Sequence, residues 1–440
     1  MPSHFCARFR AAPGDGFAGD NLIHKFLRWS FVRSVLHNGW WLLASLYMVA
    51  NAGLSPSELL IIAAAQGLAA VVFELPAGAF ADTVSRKLAI VISHALMGVA
   101  MIATGLSSSF LPLMLAQMLY GISWTFSSGS DIAWITDELD QPEKMDHVLS
   151  RQARWQLAGS GTGLVVLGVL GTLINRPVVI VGVGVAMLIL GALFALFFPE
   201  RNFTPIRTQR WRGSYRILKR GVTLAVCDRT ILALVFVTLL VNGAGDSFAR
   251  IYPVKLVDVG LPDGSEGTLW FTAISIMGFI TGIFALRGIE NRIRSESGAR
   301  RAMVIAGIAG AISLGLFGLA PNLSIAVVAL LVASGVAGPI ARTVTTIWVN
   351  RRTSSDVRAT MHSFLAQAEY VGEIATASIL AAFAGLSGSV GAYALTAALF
   401  GASALVVLFA VRDNRTAKER IIYTQYKEGR LTAPPGRSGG

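Results

Sequence analysis

The stretch ELLIIAAAQGLAAVVFELPAGAFADTVSRK, residues 58–87, decides the solvent in which this chain folds. Between Leu59 and Ala81 its only ionisable side chain is Glu74, and the run closes on the basic pair Arg86-Lys87. A hydrocarbon core about 30 Å thick needs about 20 apolar residues per crossing helix, so this segment reads as a membrane span ending in a basic loop. In oil every peptide dipole must be satisfied internally, which leaves helices as the form such a segment takes.

Working outward, the same pattern recurs along 440 residues that are 54% hydrophobic and only 14% charged. Spans are expected at 33–53, 58–80, 88–106, 110–136, 153–173, 177–198, 230–254, 267–287, 302–320, 323–349, 361–385 and 388–411. Lys and Arg resist translocation, so basic gaps lie on the cytoplasmic side. Those gaps hold Arg86 and Lys87, Lys144, Arg151 and Arg154, the run from Arg201 to Arg229, Arg287 to Arg301, and Arg351 to Arg358. The opposite gaps carry little beyond Arg176 and Lys255. The expected fold is an all-α membrane protein of twelve transmembrane helices with both termini cytoplasmic. A cytoplasmic N-terminal segment (1–32) leads into a first six-helix bundle (33–198). A basic linker (199–229), a second bundle (230–411) and a basic tail (412–440) complete the organisation.

The net charge of +12 belongs to those loops beside anionic headgroups; no soluble domain able to hold a nucleic-acid duplex accompanies it. Cys6 and Cys227 both fall on the reducing side, and neither a disulfide framework nor a metal cluster is expected. The first thirty residues lack the basic patch and short apolar core of a cleaved leader. In the linker, Trp211, Tyr215, Ile217 and Leu218 alternate with basic residues, which suits either an amphipathic helix on the inner leaflet or a solvated connection. The two halves also echo each other: DHVLSRQARWQLAGSG (146–161) follows the fourth span, and DVRATMHSFLAQAEYVG (356–372) follows the tenth.

Between spans 2 and 3, Gly78, Asp82, Arg86 and Lys87 stand at spacings that resemble the signature loop of the major facilitator superfamily. The resemblance implies two six-helix bundles, a substrate site between them, and a latch at their cytoplasmic ends built on these four residues. Asp82 and Arg86, four apart, can pair across one helical turn. Where the family usually has a glycine before the basic pair, this chain has Ser85, which is expected to loosen the turn. Glu74-Leu-Pro-Ala-Gly78 is similar to a run in a drug-efflux-like branch. Glu74 is then either a proton carrier or a packing bond to a neighbouring helix. Proton-coupled members usually carry an arginine four residues before the glycine matching Gly121; Gln117 stands there instead. Span 5, LAGSGTGLVVLGVLG (157–171), lacks the Gly-Pro-x-x-Gly-Gly run of many drug/proton antiporters, so its glycines point to close helix contact.

Span 4 carries Gln117, Trp124 and Asp131 seven apart, with Gly121 and Ser128 between them. On one unbroken helix they form a polar stripe facing a central cavity or another helix. In the second half, Asp246 and Arg250 sit four apart, as do Glu369 and Glu373. The first pair is expected to neutralise itself, as a structural pair or an outer gate. The two glutamates repel if both ionise, which makes Glu373 the expected site of proton coupling or cation recognition. Trp40, Trp41, Trp124, Trp134 and Trp270 could stack a flat substrate or anchor the chain at the headgroups. His37 and His94 are expected to make helix-to-helix hydrogen bonds.

The resemblance implies secondary transport by alternating access. Proton-driven efflux of a small amphipathic or drug-like compound by a monomer in a plasma membrane is expected, bacterial by its Ala, Gly and Arg content. An uptake or lipid-moving facilitator, or a transport-dead receptor or scaffold, would use the same spans. No phosphate loop, no nucleophile beside a base and no cofactor motif point to an enzyme.

Overall fold

The computed structural model describes residues 15–205, 228–262, 264–353 and 355–410, with side chains described from residue 20 and left out at 142, 265, 355–360 and 362–363. Cys6, Cys227 and the four linker residues Trp211, Tyr215, Ile217 and Leu218 lie outside the described residues, as does the tail beyond 410. Helices alone make up the regular structure of the described residues, with no strand among them. In chain order they are α1 (Asp15–Leu46), α2 (Pro56–Thr83), α3 (Arg86–Leu106), α4 (Phe110–Ser127), α5 (Ser130–Leu139), α6 (Pro142–Leu173) and α7 (Arg176–Phe197). There follow α8 (Arg229–Asp258), α9 (Ser265–Ile289), α10 (Glu296–Leu319), α11 (Leu323–Leu330), α12 (Gly338–Arg352) and α13 (Ser355–Ala410). Among the described residues, nine helices are long and apolar enough to cross a membrane. Phe364–Ala410, one of these, joins the two last expected spans across Gly388, whose φ of +69° breaks the helix.

Local sequence explains the starts. Ser55 and Glu58 close a capping box at α2: the Ser55 hydroxyl accepts from the Glu58 N–H at 3.3 Å, and the Glu58 carboxylate accepts from the Ser55 N–H at 2.8 Å. Ser85 caps α3 by accepting from Leu88 N–H at 2.8 Å, and Ser295 caps α10 by accepting from Gly298 N–H at 3.0 Å. Ser85 therefore fastens the turn it was expected to loosen, because an extended residue with a hydroxyl satisfies an orphan donor that glycine would leave open.

Three helices depart from the expected spans. α1 begins at Asp15, well before residue 33, since Ile23, Phe26, Leu27, Ser30 and Ser34 recur at helical spacing and are all buried. A hydropathy window misses such an amphipathic stripe. The tenth span is α11 and α12 joined through a π turn at Leu331–Ala337. Pro339, just beyond it, lacks an N–H and crowds the preceding turn, which widens to accommodate the ring. The fourth span is broken: Gly129 takes φ +73° between α4 and α5.

Contacts divide the chain into two units. Among the described residues the first contains α1 to α7 and takes in Leu261–Ile276; the second contains α8, the rest of α9 from Met277, and α10 to α13. Leu261–Ile276 joins the first unit through Arg176, which is buried and donates to Thr268 Oγ1 at 2.9 Å, to Asn51 Oδ1 at 2.8 Å and to the Gly264 carbonyl. One of the few basic residues in the gaps expected on the non-cytoplasmic side is thus an internal donor.

In each unit the helix that carries the sequence echo approaches a neighbour through glycine. A Cβ on Gly159 of α6 would stand 2.6 Å from the Phe31 carbonyl of α1. In the second unit, a Cβ on Gly372 of α13 would stand 2.6 Å from the Leu239 carbonyl of α8. Only a residue without a side chain permits that approach. The sequence echo between 146–161 and 356–372 accordingly marks the same packing device in both units.

Candidate functional site

In the first unit the polar stripe expected on span 4 does not exist as one face. Gln117 is fully buried and donates to Thr104 Oγ1 of α3 at 3.1 Å, while a Cβ on Gly121 would meet the Gln66 carbonyl of α2 at 2.6 Å. Trp124 is 37% exposed, and beyond it the turn at Ser128-Gly129 rotates Asp131 onto α5. The seven-residue spacing fails because one left-handed glycine resets the helical phase. Glu74 of α2 lies against Ser128 at that break.

Asp131 is buried with Arg33 of α1, its carboxylate 3.6 Å from the guanidinium, each side chain 11% exposed. Gln152 Nε2 of α6 and the Ile132 N–H also donate to it, at 3.4 and 2.9 Å. Arg33 donates to Ser127 Oγ at 2.6 Å and sits 5.5 Å from the ring centres of both Trp29 and Trp124. A cation between two indoles, with a carboxylate on its open edge, is a satisfied arrangement. His37 packs against Trp124 and shares a 2.7 Å hydrogen bond with the Tyr120 hydroxyl, so its expected helix-to-helix bond is present. His94 instead donates Nδ1–H within its own helix, to the Ile90 carbonyl at 2.7 Å. Trp40 and Trp134 are core residues, and Trp270 is 54% exposed.

The four residues read as a latch lie together at the α2–α3 turn. Asp82 is buried one turn after Gly78, and its carboxylate accepts from Arg86 Nε at 3.4 Å. Arg86 also donates to the Ala133 carbonyl at 3.0 Å and to Asp137, both on α5. The Lys87 N–H donates to Glu200 at 2.8 Å, and the Ser85 hydroxyl donates to the same carboxylate. Glu138 accepts from the N–H groups of Arg201 and Asn202 at 2.6 and 2.9 Å, and Trp134 Nε1 donates to the Pro199 carbonyl at 3.0 Å. The signature turn, α5 and the first residues after α7 thus form one hydrogen-bonded block.

In the second unit, Asp246 does not pair with Arg250. Its partner is Arg342 of α12, whose Nη2 donates to Asp246 at 2.7 Å and whose Nε donates to Asn242 Oδ1 at 3.1 Å. Arg250 is buried, and its charge acts instead on Glu373 of α13. Residues four apart can meet across one turn, but a helix in a bundle offers a third party on the neighbouring helix, and the guanidinium fork of Arg342 reaches two groups at once. Glu373 also feels Asp246, Glu369 and Arg342. Three carboxylates and two guanidinium groups therefore share one region, with the carboxylates in excess by one. Beside them a cavity of about 280 Å³ is lined by Thr238, Asn242, Arg342, Thr345, Thr346 and Glu369 together with aliphatic side chains. No group of three or more His, Cys, Asp or Glu able to hold a metal occurs among the described residues.

The family model described as Major Facilitator Superfamily matches residues 30–297. The chain belongs to the major facilitator superfamily. Solved structures are similar to this facilitator at low identity. A crystal structure of the nucleoside transporter NupG is 15% identical at a TM-score of 0.70, covering 88% of this chain and 98% of that one. A D-xylose-proton symporter is 13% identical at 0.67, covering 89% and 98%. A POT family transporter in complex with 5-aminolevulinic acid is 11% identical at 0.66, covering 88% and 96%. No curated protein sequence matches this chain. The family makes it a multi-pass membrane transporter of a small molecule; at these identities the similar structures show the fold alone.

Three residues of this facilitator's clusters were not singled out from sequence. Arg33 stood at a presumed span edge, and Asn242 is a single amide in an apolar run. Arg342 carried the clearest signal, a charge well inside span 323–349, yet has no acid three or four residues away to suggest a partner.

Proposed function

We propose that the chain is a secondary transporter working by alternating access and coupled to protons, with Glu369 and Glu373 sharing the exchangeable proton. The observation that carries this reading is the odd carboxylate count in the cluster of Asp246, Arg250, Arg342, Glu369 and Glu373. Two cations can neutralise two carboxylates inside a membrane; the third is relieved by a proton or by a cation from the cargo. Twelve crossings, both termini on the cytoplasmic face of a plasma membrane, a monomeric unit, and a latch of Gly78, Asp82, Arg86 and Lys87 between the halves complete the reading.

For cargo, the Glu74-Leu-Pro-Ala-Gly78 run supports export of a small amphipathic compound, while uptake or lipid movement on the same fold is the alternative. A second reading is favoured by the cavity, which has no aromatic residue in its lining and so suits a small polar solute. Proteins of similar fold carry nucleosides, a sugar and peptide-like molecules, so fold selects no cargo. Counterflow in proteoliposomes, run against labelled compounds of each class with and without a pH gradient, tests the proposal. Gradient-stimulated flux of at least one class is expected; indifference of every transported class to the gradient removes proton coupling.

A further inference from the structure

We infer that the cavity of the second unit binds an uncharged, multiply hydroxylated solute of monosaccharide or nucleoside size. The inference rests on the transport reading above and names its cargo. Three properties of the lining carry it.

First, the guanidinium in the cavity lining is already matched. Arg342 is held by Asp246 at 2.7 Å and by Asn242 at 3.1 Å. A ligand carboxylate would have to displace Asp246 from Arg342, or stand beside Asp246 and Glu369 as a further anion, and like charges repel. A neutral ligand leaves the pair intact.

Second, the lining offers donors and acceptors in fixed and complementary positions. A guanidinium has five N–H donors, and Arg342, which lines the cavity, spends two of them on Asp246 and Asn242, so three remain to give. Because Asn242 Oδ1 accepts from Arg342, its amide is oriented and its NH₂ is the group left to give. Thr238 and Thr346 donate their hydroxyl protons to the Leu234 and Arg342 carbonyls, at 2.9 and 3.0 Å, which leaves both oxygens as acceptors. Glu369 adds a carboxylate acceptor. A hydroxyl group both gives and takes a hydrogen bond, so a polyol satisfies such a mixed lining without changing its net charge.

Third, size and surface exclude the bulkier class. About 280 Å³ lies just under the ~300–1,000 Å³ of drug-sized sites, and the apolar part of the lining is Val237, Val241, Ala341, Leu365 and Ala366, with no ring to stack on. Aliphatic walls suit the C–H faces of a saturated ring.

The test is equilibrium binding to the full chain in detergent, by calorimetry, with a pentose, a hexose and a ribonucleoside, each beside a deoxy analogue, and with leucine, benzoate and tetraphenylphosphonium. At least one hydroxylated probe is expected to bind, with a tenfold or greater loss when one hydroxyl is removed, since unpaired buried groups penalise the analogue. Thr238→Val and Asn242→Leu should each weaken it at least tenfold, while Thr238→Ser should restore it and shows that the site still folds. Failure of every hydroxylated probe to bind overturns the inference, as does binding unchanged by both Thr238→Val and Asn242→Leu. Gradient-driven movement of tetraphenylphosphonium alone would keep proton coupling and remove this cargo; hydroxylated-probe binding without any gradient-driven flux would do the reverse.

Discussion

Replacing Arg33 by Met keeps the length and apolar stem of the side chain and removes its charge. Asp131 is then left in a site where both partners were only 11% exposed. Losing one member of a buried pair costs about 3–5 kcal/mol, and the low end applies because Ile132 N–H and Gln152 still donate to the carboxylate. The cation between Trp29 and Trp124 adds about 1 kcal/mol. A total of about 4 kcal/mol corresponds to a fall in Tm of roughly 10 °C for a unit of this size. Thermal unfolding in detergent, followed by loss of the monodisperse peak, reads this directly. Asp131→Asn in the Arg33→Met background should recover about half the loss, because it removes the orphaned charge. A single substitution shifting Tm by less than about 3 °C, or a double variant no better than the single, would refute a structural pair and return Asp131 to the cavity-facing stripe read from sequence.

Asp82→Asn should slow transport several-fold with insertion and expression unchanged, as Arg86 loses a buried partner but keeps Asp137; unaltered flux in proteoliposomes would remove the latch. Gly372→Val places a branched side chain where a Cβ would already stand 2.6 Å from the Leu239 carbonyl, and overpacking of this kind costs about 1–3 kcal/mol or more, visible as a lower Tm. Arg176→Gln should lower thermal stability by about 2 kcal/mol, since Arg176 is itself buried and its charged donors to buried Thr268 and to the exposed Asn51 and Gly264 acceptors are lost; an unchanged melting curve would show that water replaces them at no cost.

Much of the architecture was legible because oil leaves a chain few choices. Each expected span falls mainly on helix among the described residues, and the spacing from Gly78 to Lys87 marked the turn that the structure builds into a hydrogen-bonded block. Boundaries were less legible: the start of α1 is amphipathic rather than apolar, and Pro339 and Gly388 act through backbone geometry that hydropathy does not record. The candidate site was read in composition and not in pairing. Asp246, Arg250, Glu369 and Glu373 do come together, yet Asp246 pairs across helices with Arg342, because lateral packing sets which faces meet. Gln117, Trp124 and Asp131 were read as one stripe for the converse reason: their spacing assumes continuous helical phase, and Gly129 interrupts it.

Solute accumulation driven by an imposed pH gradient, compared between the natural chain and Glu373→Gln in proteoliposomes, tests proton coupling through the second-unit cluster most directly. The natural chain should concentrate or expel solute against its own gradient, and Glu373→Gln should exchange solute at equal concentrations while losing that uphill movement. Equal uphill transport by both proteins would contradict it.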